Sequence, residues 1–286
     1  MRYLVAIDGS DQAFDAARVL THLSPSEHTL FLHAVDIPRP SYPALASDTV
    51  QELYHNVELR MREKGERLVQ RAVSLLPNGV GLVESRVEGG SAAEVILSTA
   101  ERELIDLIIM GARGLGPAQA LIFGSVSLRV ATHASCAVLT VPVPMPALRR
   151  VLLAVEGQQD AGVALQFLTR KPFNHPVEVY VLTVLALPLG EGEQKTAFEP
   201  LGDMTLRSAQ RFVEDIAGRL STLPYCAMPV SKVGPPAATI LTYAEELRPD
   251  LIIIGSHTRN TISRFPLGSI SHKILQGTRL PVLTLR

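Results

Sequence analysis

Two clusters of glycine and serine stand 144 residues apart in a chain of 286: Gly111, Gly114, Gly124 and Ser125 in one half, Gly255, Gly268 and Ser269 in the other. In each half an acid and an apolar run lead into the first glycine, as Asp106 with Leu107 to Met110 and Asp250 with Leu251 to Ile254. The constant spacing makes the chain a tandem duplication. A short apolar run that stops at a glycine reads as a parallel strand buried on both faces and ended by a turn, the usual place for an α/β protein to hold phosphate.

Periodicity around the first cluster alternates strand and helix. Tyr3 to Ile7 reads as a strand, Asp11 to Leu23 as a helix and Thr29 to Val35 as a second strand. A proline-rich stretch from 37 to 43 precedes a long amphipathic segment, Asp48 to Leu76, and the strand Leu82 to Val87 follows. Ser91 to Leu104 is a third helix, Asp106 to Met110 a fourth strand, Ser125 to Thr132 a short helix and Ala137 to Val141 a fifth strand. The second half repeats this order, with strands near Val151 to Val155, Val177 to Val184, Met228 to Val233, Leu251 to Ile254 and Val282 to Leu285. The fold class is therefore α/β: two tandem Rossmann-like, doubly wound domains, each a five-stranded parallel sheet with helices on both faces. Val141 to Pro146 carries three prolines and reads as an extended linker, so the domains are 1–144 and 145–286.

Composition narrows the class of function. Although 47% of the residues are hydrophobic, no run approaches the roughly 18 uninterrupted apolar residues of a membrane span. Met1 to Asp8 reads as a first strand and not as a leader, and the cytoplasm is the default compartment. The two cysteines, Cys136 and Cys226, make neither a disulfide framework nor a metal-spaced cluster. A net charge of −1 and the absence of Trp give no reason to expect nucleic acid.

In a doubly wound sheet the ligand crevice lies beyond the carboxyl ends of the strands, where the strand order reverses. In a 3-2-1-4-5 sheet Asp8, closing the first strand, and Gly111, closing the fourth, flank that crevice. The acid can accept hydrogen bonds from ribose hydroxyls, and the glycine loop can donate backbone N–H groups to phosphate. Gly124 and Ser125 open a helix whose unpaired amides and positive dipole end attract anions, and Ser125 and Ser127 add hydroxyls.

With Gly111, Gly114, Gly124 and Ser125 at these intervals, preceded by Val5 to Ser10 and by Leu32 to Asp36, the chain resembles the universal stress protein family along its whole length, as two copies. In members that bind ATP the resemblance implies adenine and ribose contacts at Ala6, Ile7, Asp8, Ala34 and Met110. It implies phosphate contacts at Gly111, Arg113, Gly114, Gly124, Ser125, Val126 and Ser127. The second copy departs at two places: Glu156 stands at the position of Asp8, and Thr258 at that of Gly114. A glycine in such a loop lets backbone approach a ligand and can take a positive φ, which a β-branched threonine resists.

Several residues also have plain structural readings. Strands of this class end in glycine for turn reasons alone, but that does not account for Gly114, Ser125 and Asp8 together. Arg113 is either a phosphate clamp or a solvated loop arginine. Glu88 to Ser91 has the look of a pyrophosphate loop but precedes the third helix, and Ser91 with Glu94 is a capping box. His33 and His133 read as satisfied or exposed histidines, Cys136 as a small buried residue, and the charges of Asp48 to Arg71 as a solvated helix face that leaves a partner surface open.

The function expected is that of a universal stress protein which binds an adenine nucleotide, ATP with Mg²⁺, mainly in its first repeat and regulates stress adaptation. The two repeats pair within the chain as a pseudo-dimer, and a protein client is a possible partner. No catalytic residue is assigned, because no phosphate-binding Gly-Lys-Ser/Thr and no placed base are evident; slow hydrolysis could follow from phosphate positioning alone. A nucleotide-independent interaction module of the same fold is the alternative, and an adenylate-transferring enzyme a third class with no specific signature.

Overall fold

Strand β4 (Leu107–Gly111) has every residue buried, as the apolar run ahead of the glycine requires of a strand covered on both faces. Fully burying side chains such as Ile108 and Ile109 contributes about 1.5–3 kcal/mol each. The structure, a computed structural model, describes residues 1–36, 48–76, 81–114, 123–186, 193–256 and 267–286. The proline-rich stretch from 37 to 43 and Thr258 lie outside the described residues. The chain divides into two compact units: Met1–Thr21 with Pro25–Pro144, and His22–Ser24 with Met145–Arg286.

In the first unit β1 (Arg2–Ala6), β2 (His28–Val35), β3 (Leu82–Gly89), β4 and β5 (Ala137–Val141) form a parallel sheet in the order β3-β2-β1-β4-β5. Helices α1 (Asp11–Arg18), α2 (Asp48–Val73), α3 (Ala92–Arg102) and α4 (Ser125–His133) make the crossovers. Ala6 stands in register with both Leu32 and Met110, so β1 stops between β2 and β4 at the place where the strand order reverses, with β4 running one residue further and β2 three. The edge strand β3 remains partly exposed along its length.

The second unit repeats the plan. Its strands β6 (Arg150–Ala154), β7 (Val177–Leu185), β8 (Tyr225–Val233), β9 (Leu251–Gly255) and β10 (Val282–Leu285) lie in the order β8-β7-β6-β9-β10, all parallel. Between them run α5 (Gln158–Thr169), α6 (Glu193–Leu220), α7 (Pro236–Leu247) and α8 (Ser269–Gly277). Buried Tyr225 donates its hydroxyl to Leu168 O at 2.8 Å, and burial pushes its pKa up to about 12.

The acids that precede both glycine runs serve the sheet. Asp106 Oδ2 accepts the Arg2 amide at 2.7 Å, and Asp250 Oδ2 accepts those of Arg149 and Arg150 at 2.7 and 2.9 Å, tying the start of β1 or β6 to that of its neighbour. Helix α1 is shorter than its apolar pattern. Val19 and Leu20 are still buried, but the backbone tightens after Arg18 into a 3-10 turn, Val19–His22. The Ser91–Glu94 capping box is not formed: Ser91 occupies the N-cap without a side-chain bond, and Glu94 is drawn instead to Arg129 of α4, at 2.9 Å. Cys136 is half-buried and Cys226 exposed, so Cys136 is not the buried residue its position beside β5 implied.

Candidate functional site

At the end of β1 the chain is held in three ways. The Ile7 amide donates to Leu32 O at 2.9 Å, and a ring nitrogen of His33 bonds Ile7 O at 2.6 Å, which makes His33 a satisfied histidine. Gly9, at φ +89°, then turns the chain into α1, and an added Cβ there would fall 3.0 Å from Leu68. Ser10 is the N-cap, its Oγ accepting the Ala13 amide at 3.2 Å. The same serine fixes the acid: its amide and hydroxyl both donate to Asp8 Oδ1, at 2.9 and 2.6 Å. Among the described residues no hydrogen bond reaches Asp8 Oδ2.

That second oxygen faces Gly114. A Cβ on Gly114 would fall 2.3 Å from Asp8 Oδ2, although the residue does not have positive φ. Any side chain there would have to displace the carboxylate, so it is the space beside Asp8 and not a left-handed backbone that favours glycine. Gly111 is packed comparably, its missing Cβ 3.0 Å from backbone atoms of Gln12 and Ala13. Gly124 is different, for its nearest neighbour would be 3.6 Å away. It is the N-cap of α4 and offers no side chain to cap it, which leaves the amides of the first helical turn open.

On either side of residues 115–122, the end of β4 and the start of α4 are bonded to each other. Ala112 O accepts the Gly124 amide at 2.8 Å and also the Ser127 hydroxyl, while Ala112 N donates to Val141 O. Ser127 is therefore buried and its O–H is engaged with backbone, contrary to the expectation that it offers a free hydroxyl. Ser125 is exposed. The Arg113 amide is likewise taken, by Gln12 Oε1 at 2.7 Å. Among the described residues, the amides at the start of α4 have no side-chain cap and can face a ligand.

Around these groups lies a cavity of about 480 Å³, within the size range of small-molecule sites. Ala6, Ile7, Asp8, Ala34, Met110, Gly111, Arg113, Gly114, Gly124, Ser125, Val126 and Ser127 all line it. Leu32, which opens the Leu32 to Asp36 segment, lines it too, and four further lining residues carry no motif: Ala13, Ala92, Ile96 and Phe123. Leu32 and Ala34 share one face of β2 by the alternation of a strand, and Ala92 and Ile96 one face of α3 by i, i+4 spacing, which is the pattern that could have found them. The β2 and α3 side is thus apolar and suits a flat ring. The β4 and α4 side offers Asp8, Arg113 and the positive end of α4, a combination for hydroxyls and an anion. His133 lies elsewhere, its ring bonded to Arg129 O at 2.9 Å.

The sequence profile described as the universal stress protein family matches residues 1–142 and again 147–286. The chain belongs to that family. A universal stress protein of Thermus aquaticus is 35% identical over 140 residues, covering 48% of this chain and 96% of its own length. One from Mycobacterium tuberculosis is 24% identical over 244 residues, covering 78% of this chain and 77% of its own. Among solved structures, a universal stress protein from Archaeoglobus fulgidus covers 100% of this chain and 96% of its own, with a TM-score of 0.61 at 17% identity. A protein of Pseudomonas aeruginosa described as functionally unknown covers 99% and 92%, with a TM-score of 0.66 at 18% identity. These two likenesses establish the fold that the universal stress family shares.

The second universal stress unit keeps the loop closure. Ser256 O accepts the Gly268 amide at 3.1 Å, and Ser271 Oγ donates to Gly255 O at 2.6 Å. Its acids differ. Glu156 follows β6, its amide donating to Asp160 Oδ2 at 3.2 Å. No helix among the described residues is long and apolar enough to cross a membrane.

Proposed function

We propose that the first unit binds an adenine nucleotide, ATP with Mg²⁺, and that this universal stress protein acts as a cytoplasmic regulator in stress adaptation. The observation that carries the reading is the meeting, around one cavity, of Asp8 with a bare Oδ2, the side-chain-free backbone at Gly114 and the uncapped start of α4. The apolar β2 and α3 side suits adenine, Asp8 the ribose hydroxyls, and Arg113 with the α4 amides the phosphates. Mg²⁺ enters with the phosphates, retaining much of its water, as it does in most nucleotide sites. The two repeats pair as an intrachain pseudo-dimer through the last strand of each.

Isothermal titration of the full chain with Mg-ATP tests the proposal. One site per chain is expected, and Asp8→Ala should weaken it by about 1.5–3 kcal/mol, the range for hydrogen bonds to a charged group. Absence of binding by the parent chain overturns it. That outcome would favour the second reading, a module that binds a protein client without nucleotide, to which exposed Val50, Leu53 and Val57 at helical spacing on α2 lend support.

A further inference from the structure

The two units differ in residue type, amide against carboxylate, at one position that no glycine motif includes. In the first unit Gln12, in the opening turn of α1, reaches across to the segment after β4 and accepts the Arg113 amide through Oε1 at 2.7 Å. Its own Cβ would lie 3.0 Å from a Cβ on Gly111. Arg113 and Gly114 line the cavity directly, so Gln12 supports its polar side with a neutral group.

The backbone fixes which residue of the second unit corresponds. Ile7 and Val155 donate alike to Leu32 O and Leu182 O, both at 2.9 Å, one residue beyond β1 and β6. Counting on from there, Asp8 matches Glu156 and Gln12 matches Asp160. Asp160 opens α5 as Gln12 opens α1, and its carboxylate lies against the end of β9, where a Cβ on Gly255 would fall 2.4 Å from Oδ1. At these two positions the second unit therefore carries carboxylates, Glu156 and Asp160, where the first carries Asp8 and an amide.

We propose that neutral Gln12 is what lets the first unit accept a polyphosphate, and that a negative charge at this position would oppose one. The proposal rests on the nucleotide reading of the first unit. A fixed negative charge beneath a phosphate-binding loop acts on the ligand in proportion to the ligand's own charge and little on its rings. ATP is penalised more than AMP, and salt weakens the effect.

Gln12→Glu adds the charge while keeping the side-chain length and an oxygen for the Arg113 amide, and Gln12→Lys reverses its sign. Parent and both variants are titrated with ATP and with AMP at low and moderate salt. The ratio of ATP to AMP affinity should fall about tenfold in Gln12→Glu and rise in Gln12→Lys, both changes shrinking with salt. Comparing ratios removes any loss that comes from general damage to the site. A ratio unmoved in both variants overturns the assignment of Gln12 and leaves the nucleotide reading standing; a parent chain that binds neither nucleotide overturns the reading on which it rests.

Discussion

A methyl group on Gly114 would sit 2.3 Å from Asp8 Oδ2, and because the backbone there lacks positive φ the need for glycine is one of space. The two residues should then be energetically coupled. Gly114→Ala is expected to weaken ATP about tenfold or more in the parent chain, by displacing either the carboxylate or the loop. In an Asp8→Ala background the same change should cost little, since the group it collides with is gone. A double-mutant cycle measured by calorimetry checks this, and strictly additive losses would show that the glycine answers to something else. The glycines and the acid were legible in the sequence because they form a short pattern. Gln12 was not, since its bond to Arg113 spans 101 residues and joins two unremarkable positions. Ala92 and Ile96 were hidden for another reason: as apolar residues of a helix they look like any core.

Elements were easier to read, because burial on both faces leaves long apolar runs that only a central parallel strand explains. What escaped was the competition at their ends. Helix α3 is followed by Leu104 at φ 51°, a left-handed conformation costly for a branched side chain that is 75% exposed and gains little by packing. Leu104→Gly should therefore stabilise the chain by about 0.5–1 kcal/mol and raise Tm by roughly 1–3 °C in a thermal melt. Next to it Glu103 joins a network in which it pairs with Arg86 at 2.8 Å, Arg102 at 3.5 Å and Arg2 at 3.8 Å, while Arg86 also meets Glu84 and Glu88. The hydrogen bond from Arg86 is the main reason that the Glu103 carboxyl titrates below its ordinary range. A depressed folded-state pKa contributes stability above the ordinary carboxylate range, and the contribution is lost as pH falls through the depressed value. Melts from pH 7 down to pH 3 should show Tm falling less steeply for Glu103→Gln than for the parent, and parallel curves would remove Glu103 from the acid response.

For the whole molecule, the proposed pseudo-dimer would give each sheet a partner of its own kind. The last strands, at Ala137–Val141 and Val282–Leu285, are apolar and end their sheets in the order each unit adopts alone. An open apolar edge invites pairing, and a covalently attached copy is always at hand. Solution scattering should accordingly give the profile of one rigid pair, whereas two beads on a flexible tether would contradict the pseudo-dimer. The hydrogen bonds from Gly124 and Ser127 to Ala112 O have a different reach, and the second unit has counterparts in those from Gly268 to Ser256 O and from Ser271 to Gly255 O. They join the two ends of the intervening span to each other and to the sheet, as the hasp of a locket holds both covers whatever is kept inside. The stretch between can be rewritten, lengthened or exchanged between the halves while its anchor points stay where they are, so a new ligand preference needs no new fold.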